Sequence, residues 1–107
     1  MTAGRVEVLT FEGCPNAATA LQLVHEIAGE LGVDVDVREL RVETSEEAEC
    51  LRFLGSPTIR VDGSDVEPGA DDRHDYVLAC RVYLTAAGPL GLPDRAWVRD
   101  ALAAGAG

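Results

Sequence analysis

The 107 residues suffice for one domain with a core that needs no disulfide or zinc staple, and 47% apolar with 26% charged content excludes a disordered chain. The formal net charge of -10 argues against nucleic acid and anionic membranes as partners, because both call for a basic face. All nine basic residues are arginine, so a lysine nucleophile or Schiff base is excluded.

The opening residues Met1-Thr2-Ala3-Gly4-Arg5 hold no basic stretch followed by an apolar one, and the expected compartment is the cytoplasm. No apolar run approaches the roughly 18 residues of a membrane span. Three cysteines in that setting do not suggest a disulfide framework, and the odd count leaves at least one thiol free.

Val6 to Phe11 reads as a strand apolar enough to be central. The turn Gly13-Cys14-Pro15 follows, with Pro15 suited to a first helical turn, where a missing N–H costs nothing. Ala17, Ala20, Leu21, Val24, Ile27, Ala28 and Leu31 then keep helical spacing until Gly32 stops the helix. Val33, Val35 and Val37 alternate with polar residues as a half-buried strand, and the slip to Leu40 and Val42 predicts a bulge or the strand's end.

Thr44-Ser45-Glu46-Glu47 fits a capping box for a helix that turns Ala48, Leu51 and Leu54 inward and ends at Gly55. Ser56 to Gly63 is a strand opened by Pro57, which is tolerated where the ladder has not begun. Ser64 to Asp75 is polar and turn-rich. Tyr76 to Leu84 reads as a fourth strand, with Tyr76 to Ala79 also compatible with a helical turn. Ala86 to Leu92 is a loop, Pro93 or Asp94 opens a helix with Trp97, Val98, Ala101 and Leu102 on its apolar side, and Ala103 to Gly107 fray. The order β-α-β-α-β-β-α implies a single α/β domain over residues 1–107, with a core of about 5–104. Its first strand pair should be parallel with a right-handed crossover, within a mixed central sheet carrying helices on both faces.

The chemistry points to Cys14. A thiol at a helix N-terminus faces unpaired N–H groups and the positive end of the helix dipole, and both favour thiolate, the form that attacks disulfides and binds soft metals. Glu12 opposes this, since a nearby carboxylate favours the neutral thiol. Cys80 is either a second reactive thiol or an inert core residue, and Cys50 reads as packing. His25 falls on the polar side of its helix, and the run Asp71-Asp72-Arg73-His74-Asp75 reads as a solvated loop. There is no Gly-rich phosphate loop, Cys-x-x-Cys pair or His-Glu-x-x-His, and no cofactor is expected.

The Gly13-Cys14-Pro15 turn after a strand, the element order, and Gly55-Ser56-Pro57-Thr58 opening the third strand together resemble the thioredoxin-like family. The resemblance spans about residues 5 to 104 and implies a thioredoxin-like fold with a cis bond at Pro57, facing Cys14. The dithiol members carry Cys-x-x-Cys, whereas Ala17 stands at the fourth position here, so a dithiol cycle within the motif is impossible. Adding Asp62-Gly63 and Cys80-Arg81-Val82-Tyr83, the pattern resembles small bacterial thioredoxin-like proteins often filed alongside alkylmercury lyases.

That likeness implies Cys14 and Cys80 as the two thiols, acting on a thiol or disulfide substrate or, as mercury ligands, on a mercurial. Pro15, Ser56, Pro57 and Thr58 would shape the substrate groove, with backbone beside Ser56 and Thr58 open to an extended partner, and Arg81 would hold a nearby thiolate or anion. A mercury–carbon lyase also needs an acid, for which Glu12 or Asp62 is available. A non-catalytic interaction module on the same frame is a third reading. The pattern leaves the oligomeric state open, a dimer included.

Overall fold

A computed structural model describes residues 2–106. Its elements are β1 (Thr2–Thr10), α1 (Ala17–Leu31), β2 (Asp34–Arg41), α2 (Ser45–Cys50), β3 (Thr58–Val61), β4 (Ser64–Asp65), β5 (Tyr83–Thr85), β6 (Gly88–Leu90) and α3 (Arg95–Ala106). The mixed central sheet runs β2-β1-β3-β4, with β1 parallel to β2 and antiparallel to β3, while β5 and β6 form a separate hairpin.

The alternation of β1 divides the core into two layers. Val6 and Val8 meet α1 and α3 through Ala20, Leu23, Val24, Ile27, Val98 and Leu102. Leu9 faces the other way, onto Val42, Ala48 and Phe53. A strand apolar on both faces in this way is a central one, and helices cover both sides.

The slip in β2 is not a bulge. The strand stays in register with β1 from Val35↔Gly4 through Arg41↔Thr10, and the single irregularity lies between Thr2 and Gly4. Val35 and Val37 pack toward the α1/α3 layer, whereas Leu40 packs toward α2. Helices cover opposite faces at the two ends of this edge strand, so its apolar side changes without a change in backbone.

Thr44 caps α2 as expected, its Oγ1 accepting from Glu47 N–H at 3.1 Å. The returning arm is displaced by one residue, because the Glu47 carboxylate accepts from Glu43 N–H at 3.2 Å. The helix also stops earlier than Gly55: Arg52 adopts a positive φ of 56°, and Phe53 turns into the core. Arg60 donates to the carbonyls of Leu51 and Arg52 at 2.6 and 2.8 Å, supplying the cation that a helix C-terminus favours.

The largest departure from expectation is Tyr76 to Leu84. Only Tyr83–Thr85 is strand, and it pairs with β6, inside the stretch expected to be loop. The fourth strand of the central sheet is instead Ser64–Asp65, joined to β3 through Asp62 and Gly63, both at positive φ. A two-residue hairpin turn of that conformation matches the strand twist, and Asp-Gly suits it. The final helix reaches Ala106 rather than fraying from Ala103, and Gly107 lies outside the described residues. Among the described residues no helix is long and apolar enough to cross a membrane.

Candidate functional site

β1 releases the chain into the turn Phe11–Cys14, closed by Cys14 N–H donating to Phe11 O at 3.2 Å. The helix begins later than the sequence suggests. Asn16 is the N-cap, so Cys14 stands two residues before it and Pro15 lies outside the first turn. Ala17 N–H donates to Cys14 O at 3.4 Å, which ties the cysteine backbone to the helix start. The Asn16 side chain makes no cap hydrogen bond, and the first turn holds no acidic residue. Cys14 is partly exposed and carries a free thiol.

The Ser56–Pro57 peptide is cis, as the resemblance implies. Leu9 pairs with Thr58, so Ser56 and Pro57 lie at the end of the sheet where β1 passes into the Cys14 turn. Thr58 Oγ1 donates to Gly55 O at 2.7 Å, and the Tyr83 hydroxyl donates to Pro57 O. All four residues from Gly55 to Thr58 are buried.

Against this loop lies an irregular strap, Val77–Val82. Val77 N–H donates to Phe53 O, Ser56 N–H to Ala79 O at 2.8 Å, and Arg81 N–H to Ser56 O at 3.0 Å, giving a parallel bridge between Ser56 and Cys80. Cys80 therefore sits at the same end of the sheet as the Cys14 turn, not deep within a strand. It is exposed and free, whereas Arg81 and Tyr83 on either side of Val82 are buried. Exposed and buried residues alternate from Cys80 to Leu84, although the ladder begins only at Tyr83.

Two expectations are corrected here. Ser56 has its backbone N–H and C=O engaged by the strap, and Thr58 pairs with β1, so neither offers open backbone to an extended partner. Arg81 does not present a free guanidinium either. Its Nη1 donates to Asp65 at 2.8 Å and Thr58 at 3.0 Å, and its Nη2 to Glu67 at 2.7 Å and Asp65 at 3.2 Å. The guanidinium also lies 4.3 Å from the centre of the Tyr83 ring. Burial disfavours its charge, yet hydrogen bonding to Asp65 and Glu67 holds its pKa above the ordinary value. Burial pushes the Tyr83 hydroxyl up, against the lowering effect of Arg81.

Asp65, Glu67 and Tyr83 are thus the residues that fix the loop and strap; the sequence pattern includes Tyr83 without giving it a role and points to neither carboxylate. The signal was Arg81 itself: an arginine inside an apolar run demands carboxylate partners, and the polar stretch after Gly63 supplied them. Two polar atoms here, Ser56 Oγ and Arg81 Nε, are buried without a partner.

Of the acid candidates, Asp62 is at the wrong end. Its N–H donates to Arg5 O and its carboxylate accepts from Arg5 N–H, so it lies five β1 residues from Thr10, roughly 17 Å along a strand. Glu12 is exposed in the Cys14 turn. Cys50 is exposed rather than packed, and His25 is exposed as expected.

In the acidic run Arg73 pairs with Asp75 at 2.6 Å, while Asp71 accepts from Asp65 N–H. This pairing, a hydrogen bond above all, lowers the Asp75 pKa and raises that of Arg73. Among the described residues no group of three or more His, Cys, Asp or Glu side chains is placed to hold a metal. A cleft of about 330 Å³ opens beside the Cys14 turn, lined by Phe11, Glu12, Val42, Glu43 and Leu78. No family model, curated protein or solved structure matches the chain.

Proposed function

We propose that this is a thioredoxin-like thiol protein whose Cys14 is the nucleophile, or soft-metal ligand, and whose Cys80 is the second thiol. One observation carries the reading: the Ser56–Cys80 bridge brings the Cys80 strap to the end of the sheet from which the Cys14 turn departs. A mixed central sheet with α1 and α3 on one face and α2 on the other also supports this reading.

Cys14 thiolate attacks one sulfur of a disulfide, a mixed disulfide forms, and the other sulfur leaves as thiolate. Cys80 thiolate then attacks the Cys14 sulfur, releasing the bound half and leaving Cys14–Cys80 oxidised. For a mercurial, the same two thiolates supply soft ligands. Cleavage of a carbon–mercury bond needs a proton, and Glu12 is the acid that adjoins the Cys14 turn.

The test is intact mass and peptide mapping after reaction with one equivalent of a small disulfide. Wild type should form an adduct at Cys14 that resolves to a Cys14–Cys80 link, and Cys80→Ser should trap the adduct. A Cys14→Ser protein that keeps the fast-reacting thiol overturns the proposal. Random intermolecular dimers in place of the internal link remove Cys80 from it.

A further inference from the structure

The surroundings of Cys14 restrict what it can meet, and the inference rests on Cys14 being the reacting thiol, as proposed above. The route along the cis-proline loop is closed by the chain itself: the strap takes both backbone hydrogen-bonding groups of Ser56, and Gly55 to Thr58 are buried. The strap is fastened at its far end by the buried Arg81, whose side chain is 1% exposed against 3% for Asp65. An extended polypeptide has no strand edge to join there, and hydrogen bonds along such an edge are what give that mode its affinity.

A cleft of about 330 Å³ opens beside the Cys14 turn, which contributes Phe11 and Glu12 to its lining. This is the lower end of the size range of small-molecule pockets, roughly 300–1,000 Å³. Phe11, Val42 and Leu78 give it apolar walls, Glu12 and Glu43 are its ionisable lining groups, and no arginine lines it. Both carboxylates are exposed, in a chain whose net charge is -10. Their combined field repels anions and concentrates cations.

We infer that the substrates of Cys14 are small, partly apolar, neutral or cationic disulfides or thiol reagents, and that anionic ones and polypeptide disulfides are excluded. The cleft receives the apolar body of the molecule, and the two glutamates select its charge. Cys14 is oxidised to the mixed disulfide while the departing half of the substrate is reduced to thiolate, so no further oxidant enters the step.

Second-order rate constants at Cys14 test this, measured by mass spectrometry on Cys80→Ser protein to stop at the adduct. The probes are cystamine (cationic), bis(2-hydroxyethyl) disulfide (neutral), dithiodiglycolate (anionic) and an uncharged, unstructured peptide disulfide. Each rate is divided by that of a free small thiol, which removes the intrinsic reactivity of the probe. At low ionic strength cystamine should exceed dithiodiglycolate by about tenfold or more, a gap that salt narrows. Glu12→Gln combined with Glu43→Gln should collapse the gap, and the peptide should be slowest of the uncharged pair. A normalised anion rate equal to the cation rate, a gap unchanged by the glutamine variants, or a peptide as fast as the neutral probe overturns the inference. Failure of every probe to react at Cys14 overturns the thiol reading itself.

Discussion

Ser56 and Cys80 lie side by side in a parallel bridge, the serine N–H donating to Ala79 O at 2.8 Å and its carbonyl accepting from Arg81 N–H at 3.0 Å. A surface cysteine is thereby seated next to the loop bearing the cis proline, 24 residues earlier in the chain. The seating is made by backbone groups, but side chains hold it in place. Arg81 follows Cys80 directly, and its contacts with Asp65, Glu67, Thr58 and the Tyr83 ring anchor the strap to the sheet.

Arg81→Met should be among the most damaging substitutions in the chain. It leaves Asp65, 3% exposed, as a buried carboxylate without its cation. Breaking such a pair from one side costs about 3–5 kcal/mol, read as a drop in the urea midpoint. Arg81→Lys should recover only part of the loss, because one ammonium cannot reproduce the forked contacts to both carboxylates and Thr58. Equal stability of Arg81→Met and wild type would show that the network does not anchor the strap.

Gly55→Ala tests the closeness of strap and loop. A Cβ at Gly55 would meet Arg81 Cβ at 2.9 Å and Ala79 O at 3.1 Å, and its φ of +117° disfavours any L side chain. Strain and displacement together should cost about 2 kcal/mol or more. Amide hydrogen exchange at Ser56 and Arg81 should quicken beyond the global loss of stability, since both bonds cross that contact.

Tyr83 makes alkaline stability depend on one buried hydroxyl. Its folded pKa is raised by burial above the ordinary value near 10, so the unfolded chain gives up this proton first. The native state then binds more protons than the unfolded state, and stability falls as pH rises. The contribution is fully present below about pH 10 and is lost progressively above it. Tyr83→Phe should lose about 1 kcal/mol at neutral pH, with the hydrogen bond to Pro57 O, yet show a flatter decline above pH 10 in denaturation series.

Thr44→Ala removes the oxygen that accepts from Glu47 N–H and should cost about 1 kcal/mol. The short α2 carries Ala48 into the second core layer, so the loss should appear in global unfolding and not as local fraying alone.

On the proposal that Cys14 is the nucleophile, Cys14→Ser should remove a fast phase of thiol labelling that Cys50→Ser leaves in place, although Cys14 is only partly exposed and Cys50 lies exposed at the end of α2. A decrease of at least tenfold in the initial labelling rate is expected for Cys14→Ser, measured with a neutral alkylating reagent at neutral pH.

The sequence alone determined that the long, strongly periodic elements exist, though not where each begins: the strand through Val6 to Thr10, the helix that Gly32 stops, the valine alternation of β2, and the Trp97–Leu102 face of the last helix. Each carries its own period over enough residues that local pattern and final packing agree. It also singled out Cys14, Pro57 and Cys80 as residue types worth following, because cysteine and proline announce their chemistry without a fold.

Tertiary structure alone decided where those residues stand. Tyr76 to Leu84 looks like a fourth strand because its run is largely apolar. In the fold only its last residues find a ladder partner, in β6, and the remainder is held by three backbone bonds and one buried arginine. The pairing of Arg81 with Asp65 and Glu67 spans 14 to 16 residues with no fixed spacing, so no periodicity could disclose it. The engagement of Ser56 by the strap was equally hidden, since a backbone N–H and C=O are the same in every sequence. Which of them are free is settled only when the chain has folded around them.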